Sequence, residues 1–322
     1  MIRKIGVVGA GLMGHGIAEA FAMYGYDVRM FETDPARREG VKDTMARELA
    51  LLEREGLVDR GAVPAILDRI TVFGDMREAM EDRDFVIEAA PEMLDLKRSI
   101  FSQLDRICPA GTVFASNTSS LPLVEMTRDL PASRLARFFI NHFYNPAHIM
   151  PIVEISFFGN TSKELFDELK AMYLSIGKQP VKVLKDIPGL IANRIQQGVA
   201  REVFSLIEMG AAEPEDIDRA LMYGPALRYA TTGQLEIADF GGLDIWCAVG
   251  DNLLPAIDNS MKANGLLREK VRQGKLGVKS GEGFYTYPPA EAASKSERFM
   301  VRLIKQLKTS RQYADGADST KE

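Results

Sequence analysis

Residues 141–154, NHFYNPAHIMPIVE, bring together side chains that can move a proton. The stretch holds two of the chain's three histidines, His142 and His148, and a carboxylate, Glu154. An imidazole, with an ordinary pKa of about 6.5, suits removal of a hydroxyl proton while a hydride leaves the same carbon. A carboxylate at its other nitrogen would fix the tautomer and stabilise the imidazolium. His142 and Glu154 are therefore candidates for an acid–base pair.

That pair requires two β-rich runs to lie side by side. His142 lies near the end of the run LARFFINHFY and Glu154 lies inside MPIVEISFF, so adjacent strands would let the side chains meet. An unpaired carboxylate among apolar neighbours is unfavourable, which favours a partner for Glu154. A structural histidine at a strand end is the other interpretation of His142. His148 is expected to be a loop histidine without a role.

A glycine-rich turn near the N-terminus has the spacing of a dinucleotide-binding loop, G-x-G-x-x-G, between a predicted strand and a predicted helix. The first glycine allows a tight turn, the second lets backbone approach a pyrophosphate, and the third lets helix and strand pack closely. A tight turn that binds no nucleotide is the alternative. The residues predicted to bind the pyrophosphate are Gly9, Ala10, Gly11, Leu12, Met13 and Gly14. His15, which follows, is expected to face the cofactor cleft or solvent.

The end of the second predicted strand carries the acid that such a loop requires. Glu32 follows the first glycine by about the 20 positions expected of a ribose-binding carboxylate. A carboxylate there accepts hydrogen bonds from ribose hydroxyls and repels a 2′-phosphate, and Asp34 adds to the repulsion. Arg37 and Arg38 oppose this argument, but they are expected to lie on a solvated helix face. The pattern favours NAD over NADP.

The elements that must position these residues predict an α/β protein. Strand, helix and strand alternate at the N-terminus, which favours a parallel sheet. We predict a Rossmann-type, mainly parallel domain over residues 1–185 with a helical hairpin insertion at about 36–67. Helix patterns without strands predict an all-α domain over 186–290. Residues 291–322 are predicted to form an amphipathic helix and a disordered tail.

Composition excludes several classes of function. The net charge is −5, and no lysine- or arginine-rich block is present, so nucleic acid is not an expected partner. No apolar run approaches the roughly 20 residues that span a bilayer, and the N-terminus is predicted to be the first strand rather than a signal peptide. With two cysteines, no disulfide framework is expected, which fits the cytoplasm.

Further along the chain, several motifs together resemble the L-3-hydroxyacyl-CoA dehydrogenase family. The resemblance runs from Ile2 to about Tyr287. It is carried by GAGLMGHGIA, APEMLDLKRSIF, ASNTSSL, HFYNPAHIMPIVEI, DIPGLIANR, EDIDRA, GGLD and GVKSGEGFYTY. It implies a Rossmann-type NAD domain followed by a mainly helical domain that forms a homodimer interface. The implied activity is NAD-dependent interconversion of a 3-hydroxy and a 3-oxo group.

The resemblance also implies roles for single residues. His142 matches the catalytic base and Glu154 its orienting carboxylate. Ser119 and Asn193 match residues that hold the substrate oxygen and the histidine. Matches on the cofactor side are Ala90, Glu92, Lys97 and Asn117.

The expected substrate is a 3-hydroxyacyl-CoA thioester. Pro151 stands where members acting on CoA esters often have a basic residue, and the predicted hairpin balances basic with acidic residues. The stretch GPALRYATTG resembles a branch that includes gulonate and carnitine dehydrogenases, so a small free 3-hydroxy acid is the alternative. A non-catalytic, crystallin-like NAD-binding protein is a further alternative, which the complete set His142, Glu154, Ser119 and Asn193 opposes.

Overall fold

The computed structural model describes residues 2–311, which divide into two compact units between Asn193 and Arg194. The predicted disordered tail, residues 313–322, lies outside the described residues. The predicted boundary after residue 185 stays a prediction. None of the helices in residues 2–311 combines the length and the apolar character needed to cross a membrane.

The first unit is built on one eight-stranded sheet with the order β3-β2-β1-β4-β5-β6-β7-β8. The strands β1 to β6 run parallel, whereas β7 pairs antiparallel with β6 and parallel with β8. Their bounds are Lys4–Val8, Asp27–Phe31, Ile70–Phe73, Phe85–Glu88, Val113–Ser116, Phe138–Phe143, Ile152–Ser156 and Gln179–Val183 for β1 to β8. The predicted α/β class and mainly parallel sheet are confirmed.

The central strands are buried along their whole length and are mainly apolar. Every residue of β4 (FVIE) and β5 (VFAS) is buried, as is typical of parallel strands. The glutamate at the end of β4 is therefore a buried carboxylate that requires polar partners.

The helices of this unit follow the strands as connections and one insertion. Their bounds are Leu12–Ala22, Pro35–Arg54, Val63–Asp68, Met76–Met80, Leu94–Ile107, Leu123–Met126, Ala132–Leu135 and Lys163–Ser175 for α1 to α8. The helices α2 and α3 occupy the hairpin region and contact each other. The N-terminus of α2 is capped by Asp34, whose Oδ1 accepts a hydrogen bond from the N–H of Ala36.

The second unit is helical. Its helices are Ala192–Glu208, Pro214–Tyr223, Pro225–Tyr229, Gln234–Gly241, Leu243–Leu253, Gly265–Arg272 and Pro289–Ser310, numbered α9 to α15, and α9 begins just before the division. Apart from two isolated bridges, residues 194–311 contain no strand. The predicted all-α character of the C-terminal part is confirmed.

Candidate active site

The antiparallel pairing of β6 with β7 places His142 directly opposite Glu154. The distance from His142 Nδ1 to Glu154 Oε2 is 2.9 Å, and both residues are buried. Because a carboxylate only accepts hydrogen bonds, the neutral ring carries its proton on Nδ1 and presents the lone pair of Nε2. The ring also packs edge-to-face against Tyr144. This arrangement can accept a proton at Nε2 and balance the resulting charge at Nδ1.

The second oxygen of Glu154 is held by the backbone at the start of α9. Oε1 accepts hydrogen bonds from the N–H groups of Ile191 (2.8 Å) and Ala192 (3.0 Å). Burial alone would raise the pKa of Glu154, but the bonds from His142 and from these two N–H groups outweigh it and lower the pKa. The carboxylate is therefore ionised at neutral pH. Asn193 follows these two residues and is half-buried.

The loop after β5 is anchored by Glu92. Its Oε1 accepts from the hydroxyl of Thr118 (2.5 Å), the N–H groups of Ser119 and Ser120 (3.2 Å each) and the Ser120 hydroxyl (3.0 Å). The Ser119 carbonyl accepts from the N–H of Gly189 at 2.9 Å, which joins this loop to the turn before α9. The backbone of Ser119 is therefore held at its N–H by Glu92 and at its carbonyl by Gly189, and the residue is half-buried.

Asn117 connects the same loop to the strand that carries the histidine. Its Oδ1 accepts a hydrogen bond of 2.8 Å from the N–H of Phe143, the residue after His142. Asn117 therefore helps to fix the end of β6. Whether it also contacts the cofactor stays a prediction.

Lys97 forms a buried ion pair that the sequence analysis did not anticipate. Its Nζ lies 2.7 and 2.8 Å from the two oxygens of Glu88 and 3.2 Å from Glu92 Oε2. Ser116 donates to Glu88 Oε2 at 2.5 Å. Burial nevertheless keeps the pKa of Glu88 raised, against the lowering effect of Lys97. Glu88 could have been identified from the sequence, because a carboxylate at the end of an apolar strand is expected to be buried and to need a polar partner.

The three glycines of the N-terminal loop have different surroundings. Gly9 has a φ of +100°, and a Cβ there would lie 2.9 Å from the carbonyl oxygen of Ala89. A Cβ on Gly14 would lie 1.9 Å from the carbonyl oxygen of Gly9, so this contact between turn and helix requires glycine. A Cβ on Gly11 would meet no atom within 4 Å. Gly11 is therefore the position at which a ligand can approach the backbone.

A cavity of about 750 Å³ lies against this loop. The predicted cofactor residues that line it are Gly9, Gly11, Leu12, Met13, Glu32 and Ala90. Ala10 is not a lining residue, but its N–H donates a hydrogen bond of 2.9 Å to Glu32 Oε2 and so helps to position that carboxylate. Gly14, Glu92, Lys97 and Asn117 are not among the lining residues; Gly14 permits the packing of α1, and the other three hold protein groups.

Glu32 is a charged residue at the edge of that cavity. Burial would raise its pKa, but hydrogen bonds from the N–H groups of Asp34 and Ala10 and the nearby Arg37 lower it. Arg37, expected on a solvated helix face, has a side chain that is 51% exposed; it also lines the cavity and lies 3.2 Å from Glu32 Oε2. Arg38 also turns inward and donates to the carbonyl oxygens of Glu32 and Thr33. The helix begins so close to the strand end that both side chains reach back to it.

Comparison with known proteins identifies this combination of domains. Residues 4–187 match the model of the 3-hydroxyacyl-CoA dehydrogenase NAD-binding domain, and residues 189–287 match that of the C-terminal domain of the same enzymes. The chain belongs to the 3-hydroxyacyl-CoA dehydrogenase family. It is thus an NAD-dependent oxidoreductase that acts on CH–OH groups, and the predicted family, enzyme class and cofactor are confirmed.

Similar members of the 3-hydroxyacyl-CoA dehydrogenase family differ in the substrates they are named for. A probable 3-hydroxybutyryl-CoA dehydrogenase of Bacillus subtilis is 37% identical over 89% of this chain and 98% of its own length. A 5-formyl-3-hydroxy-2-methylpyridine 4-carboxylate 5-dehydrogenase of Mesorhizobium japonicum is 31% identical over 92% and 95%. A crystal structure of an enzyme so named, described as an NAD⁺-dependent dismutase, has a TM-score of 0.87 at 29% identity and covers 98% of this chain and 99% of its own.

The two other histidines contact carboxylates other than Glu154. His15 was expected to face the cofactor cleft or solvent, and this is wrong: it is buried, with Nδ1 2.8 Å from the Gly11 carbonyl oxygen and Nε2 3.1 Å from Glu48. The side chain of His148 is also buried, and its Nδ1 lies 3.1 Å from Glu19. Burial lowers the pKa of His148 to about 4. Of the three histidines, His142 is therefore the best candidate for a general base.

Proposed function

We propose that this chain interconverts a 3-hydroxy and a 3-oxo group, with His142 as the general base. The observation that carries the proposal is the buried contact of 2.9 Å between His142 Nδ1 and Glu154 Oε2. In the oxidation direction, Nε2 of His142 takes the hydroxyl proton while carbon 3 loses a hydride. The bound NAD supplies the hydride acceptor. The glycine loop and Glu32 would hold it.

Glu154 supports this step through charge and position. The imidazolium that forms after proton transfer lies against a carboxylate, which is stabilising in a buried site. Because Oε1 is held by two backbone N–H groups, the carboxylate cannot rotate away from the ring without losing both bonds. Ser119 and Asn193 are proposed to hold the substrate oxygen, as the family resemblance implies. Their backbones are placed by Gly189 and by the start of α9.

For the substrate, the first candidate is a 3-hydroxyacyl-CoA thioester. It is supported by the relatives of this family that are named for such substrates, including the Bacillus subtilis protein. We also propose that the protein acts on a small molecule of this kind as a homodimer in the cytoplasm. Both cysteines, Cys108 and Cys247, are free thiols, which fits a reducing compartment.

A small free 3-hydroxy acid is the second candidate, and a specific observation favours it. A CoA ester carries several phosphates, and three of the hairpin cations already contact protein groups. Lys42 donates to the carbonyl of Leu67, and Arg47 donates to the Thr44 hydroxyl. Arg37 pairs with Glu32. The likeness over the whole chain to a dehydrogenase named for a pyridine carboxylate also supports a substrate without CoA.

The test compares two substrates that differ only in the thioester. Acetoacetyl-CoA and acetoacetate are reduced with NADH, and the fall in NADH absorbance gives kcat/KM for each. A higher kcat/KM for acetoacetyl-CoA supports the first candidate, and Arg47→Glu should then raise KM for that substrate more than it lowers kcat. A higher value for acetoacetate supports the second. If neither substrate, nor a wider set of 3-hydroxy acids and thioesters, is turned over, the proposed chemistry is refuted.

A further inference from the structure

A second cluster of ionisable side chains lies behind the cofactor loop. It consists of His15 and Glu19 on α1, Glu48 on α2 and His148 in the connection between β6 and β7. We call these four residues the α1–α2 cluster. Glu19 is fully buried, and the side chain of His148 is 3% exposed. The cluster includes neither His142 nor Glu154, so an argument about it does not depend on the proposed function.

Three residues of the α1–α2 cluster bring donor atoms close together. One nitrogen of His15 and one carboxylate oxygen each from Glu19 and Glu48 lie within 4.8 Å of one another. His15 and Glu19 are four positions apart on α1, so they lie on the same face of the helix. Glu48 faces them from α2, at 3.1 Å from His15 Nε2.

The tautomer of His15 is set by the glycine loop. Its Nδ1 lies 2.8 Å from the carbonyl oxygen of Gly11, which can only accept, so the neutral ring carries its proton on Nδ1. The lone pair of Nε2 then points at the carboxylate of Glu48. Metal-binding histidines are commonly oriented in this way, by a backbone carbonyl on the nitrogen that does not bind the ion.

Buried polar atoms in this cluster have no hydrogen-bond partner among the described residues. These atoms are both oxygens of Glu19, Oε2 of Glu48 and both ring nitrogens of His148. Two pairs nevertheless lie 3.1 Å apart, His148 Nδ1 with Glu19 Oε2 and His15 Nε2 with Glu48 Oε2. Two carboxylates and an imidazole lone pair close together are unfavourable in a buried site unless a proton or a cation lies between them. A divalent cation between them would satisfy the lone pairs and neutralise both carboxylates.

We propose that His15, Glu19 and Glu48 bind a divalent transition-metal ion, with His148 positioning Glu19 from outside. Mixed imidazole and carboxylate donors suit Zn²⁺ and neighbouring transition metals better than Mg²⁺ or Ca²⁺. Bonds to such an ion are roughly 2.0–2.2 Å long, so donor atoms that now lie within 4.8 Å of one another would rearrange around it on binding. Glu48 is half-buried, whereas His15 and Glu19 are buried.

The ion would act on the cofactor loop rather than on the reacting atoms. His15 touches the carbonyl of Gly11, and Gly11 is the open glycine of the nucleotide loop. Fixing His15 would fix that carbonyl and the peptide it belongs to. Because coupling between two binding sites is reciprocal, metal and NADH should each tighten the binding of the other.

The experiment measures metal binding by the full chain, freed of metal by chelation and of any affinity tag. We expect calorimetric titration with Zn²⁺ to give one site per chain, and Co²⁺ to give a visible absorption band. Glu48→Gln and Glu19→Gln should each weaken Zn²⁺ binding at least tenfold and remove the band. Glu39→Gln, an exposed change on the same helix, is the matched control and should bind as the wild type does.

A melting series keeps the proposal testable if a variant folds poorly. Zn²⁺ should raise the Tm of the wild type and of Glu39→Gln, and should leave the Tm of Glu48→Gln unchanged. Equal Zn²⁺ affinity in the wild type, Glu19→Gln and Glu48→Gln would overturn the proposal, because binding would then lie elsewhere. Absence of wild-type binding up to millimolar Zn²⁺ would also overturn the proposal. The cluster would then be neutralised by protons instead of a metal ion, because burial and the charge of Glu48 raise the pKa of Glu19.

Discussion

Glu154 uses each of its carboxylate oxygens for a different purpose. Oε2 contacts the imidazole of His142, and Oε1 accepts two backbone hydrogen bonds from the start of α9. Removal of its charge therefore affects the stability of the imidazolium, whereas removal of the whole side chain would also release the backbone. The conservative change to glutamine separates these two effects.

We predict that His142→Ala reduces kcat by about 10²–10⁴-fold, the usual contribution of general-base assistance. Binding of NADH, followed by fluorescence, should stay close to the wild-type value because His142 is not among the residues lining the cofactor cavity. Glu154→Gln should cost less than His142→Ala, since the base is still present. A His142→Ala protein with nearly normal kcat would show that the base is another group.

Cofactor preference is also decided by single residues. We predict that kcat/KM for NAD exceeds that for NADP by at least about tenfold, or roughly 1.4 kcal/mol, because Glu32 repels a 2′-phosphate. Arg37 lies 3.2 Å from Glu32, whose negative charge offsets the positive charge of the guanidinium. Glu32→Ser should release Arg37 and shift the preference towards NADP. The double change with Arg37→Ala should lose that gain, and equal use of both cofactors by the wild type would contradict the prediction.

At the scale of elements, the sequence predicts what depends on periodicity and misses what depends on packing between helices. The runs ending at His142 and containing Glu154 could be recognised as strands, and the two side chains meet once these strands pair. The contact of His15 with Glu48 depends on how α1 packs against α2, about which the spacing along the chain says nothing. The contact of Arg37 with Glu32 could not be predicted for a similar reason, because a helical pattern does not show that a side chain reaches back to the preceding strand.

The glycine loop offers a pair of substitutions with opposite expected effects. A Cβ on Gly11 meets no protein atom within 4 Å, so Gly11→Ala should fold with an unchanged Tm. It should nevertheless weaken NADH binding, because the methyl group occupies the space where the pyrophosphate approaches. A Cβ on Gly14 would lie 1.9 Å from the Gly9 carbonyl oxygen, so Gly14→Ala should lower the Tm by several degrees. Equal effects of the two changes on Tm would contradict this interpretation.

The whole molecule exposes much apolar surface on its helical unit. Within residues 194–311, large apolar side chains that are exposed include Leu235, Phe240, Leu243, Ile245, Leu254 and Met261. Soluble monomers rarely leave extended apolar patches exposed, and such patches are typical of interfaces between proteins. The exposure therefore supports the homodimer that the family resemblance implies.

We predict that the protein sediments at micromolar concentration with about twice the monomer mass of 35.7 kDa. The double change Leu235→Glu and Phe240→Glu on α12 should shift it towards the monomer, because two charges would have to be buried or repelled at the interface. Both side chains are more than 80% exposed in the single chain, so the change should leave the fold of each chain intact. Glu236→Gln on the same helix is the matched control and should remain dimeric. A monomeric wild type would refute the dimer, and a dimeric double variant would place the interface on another surface.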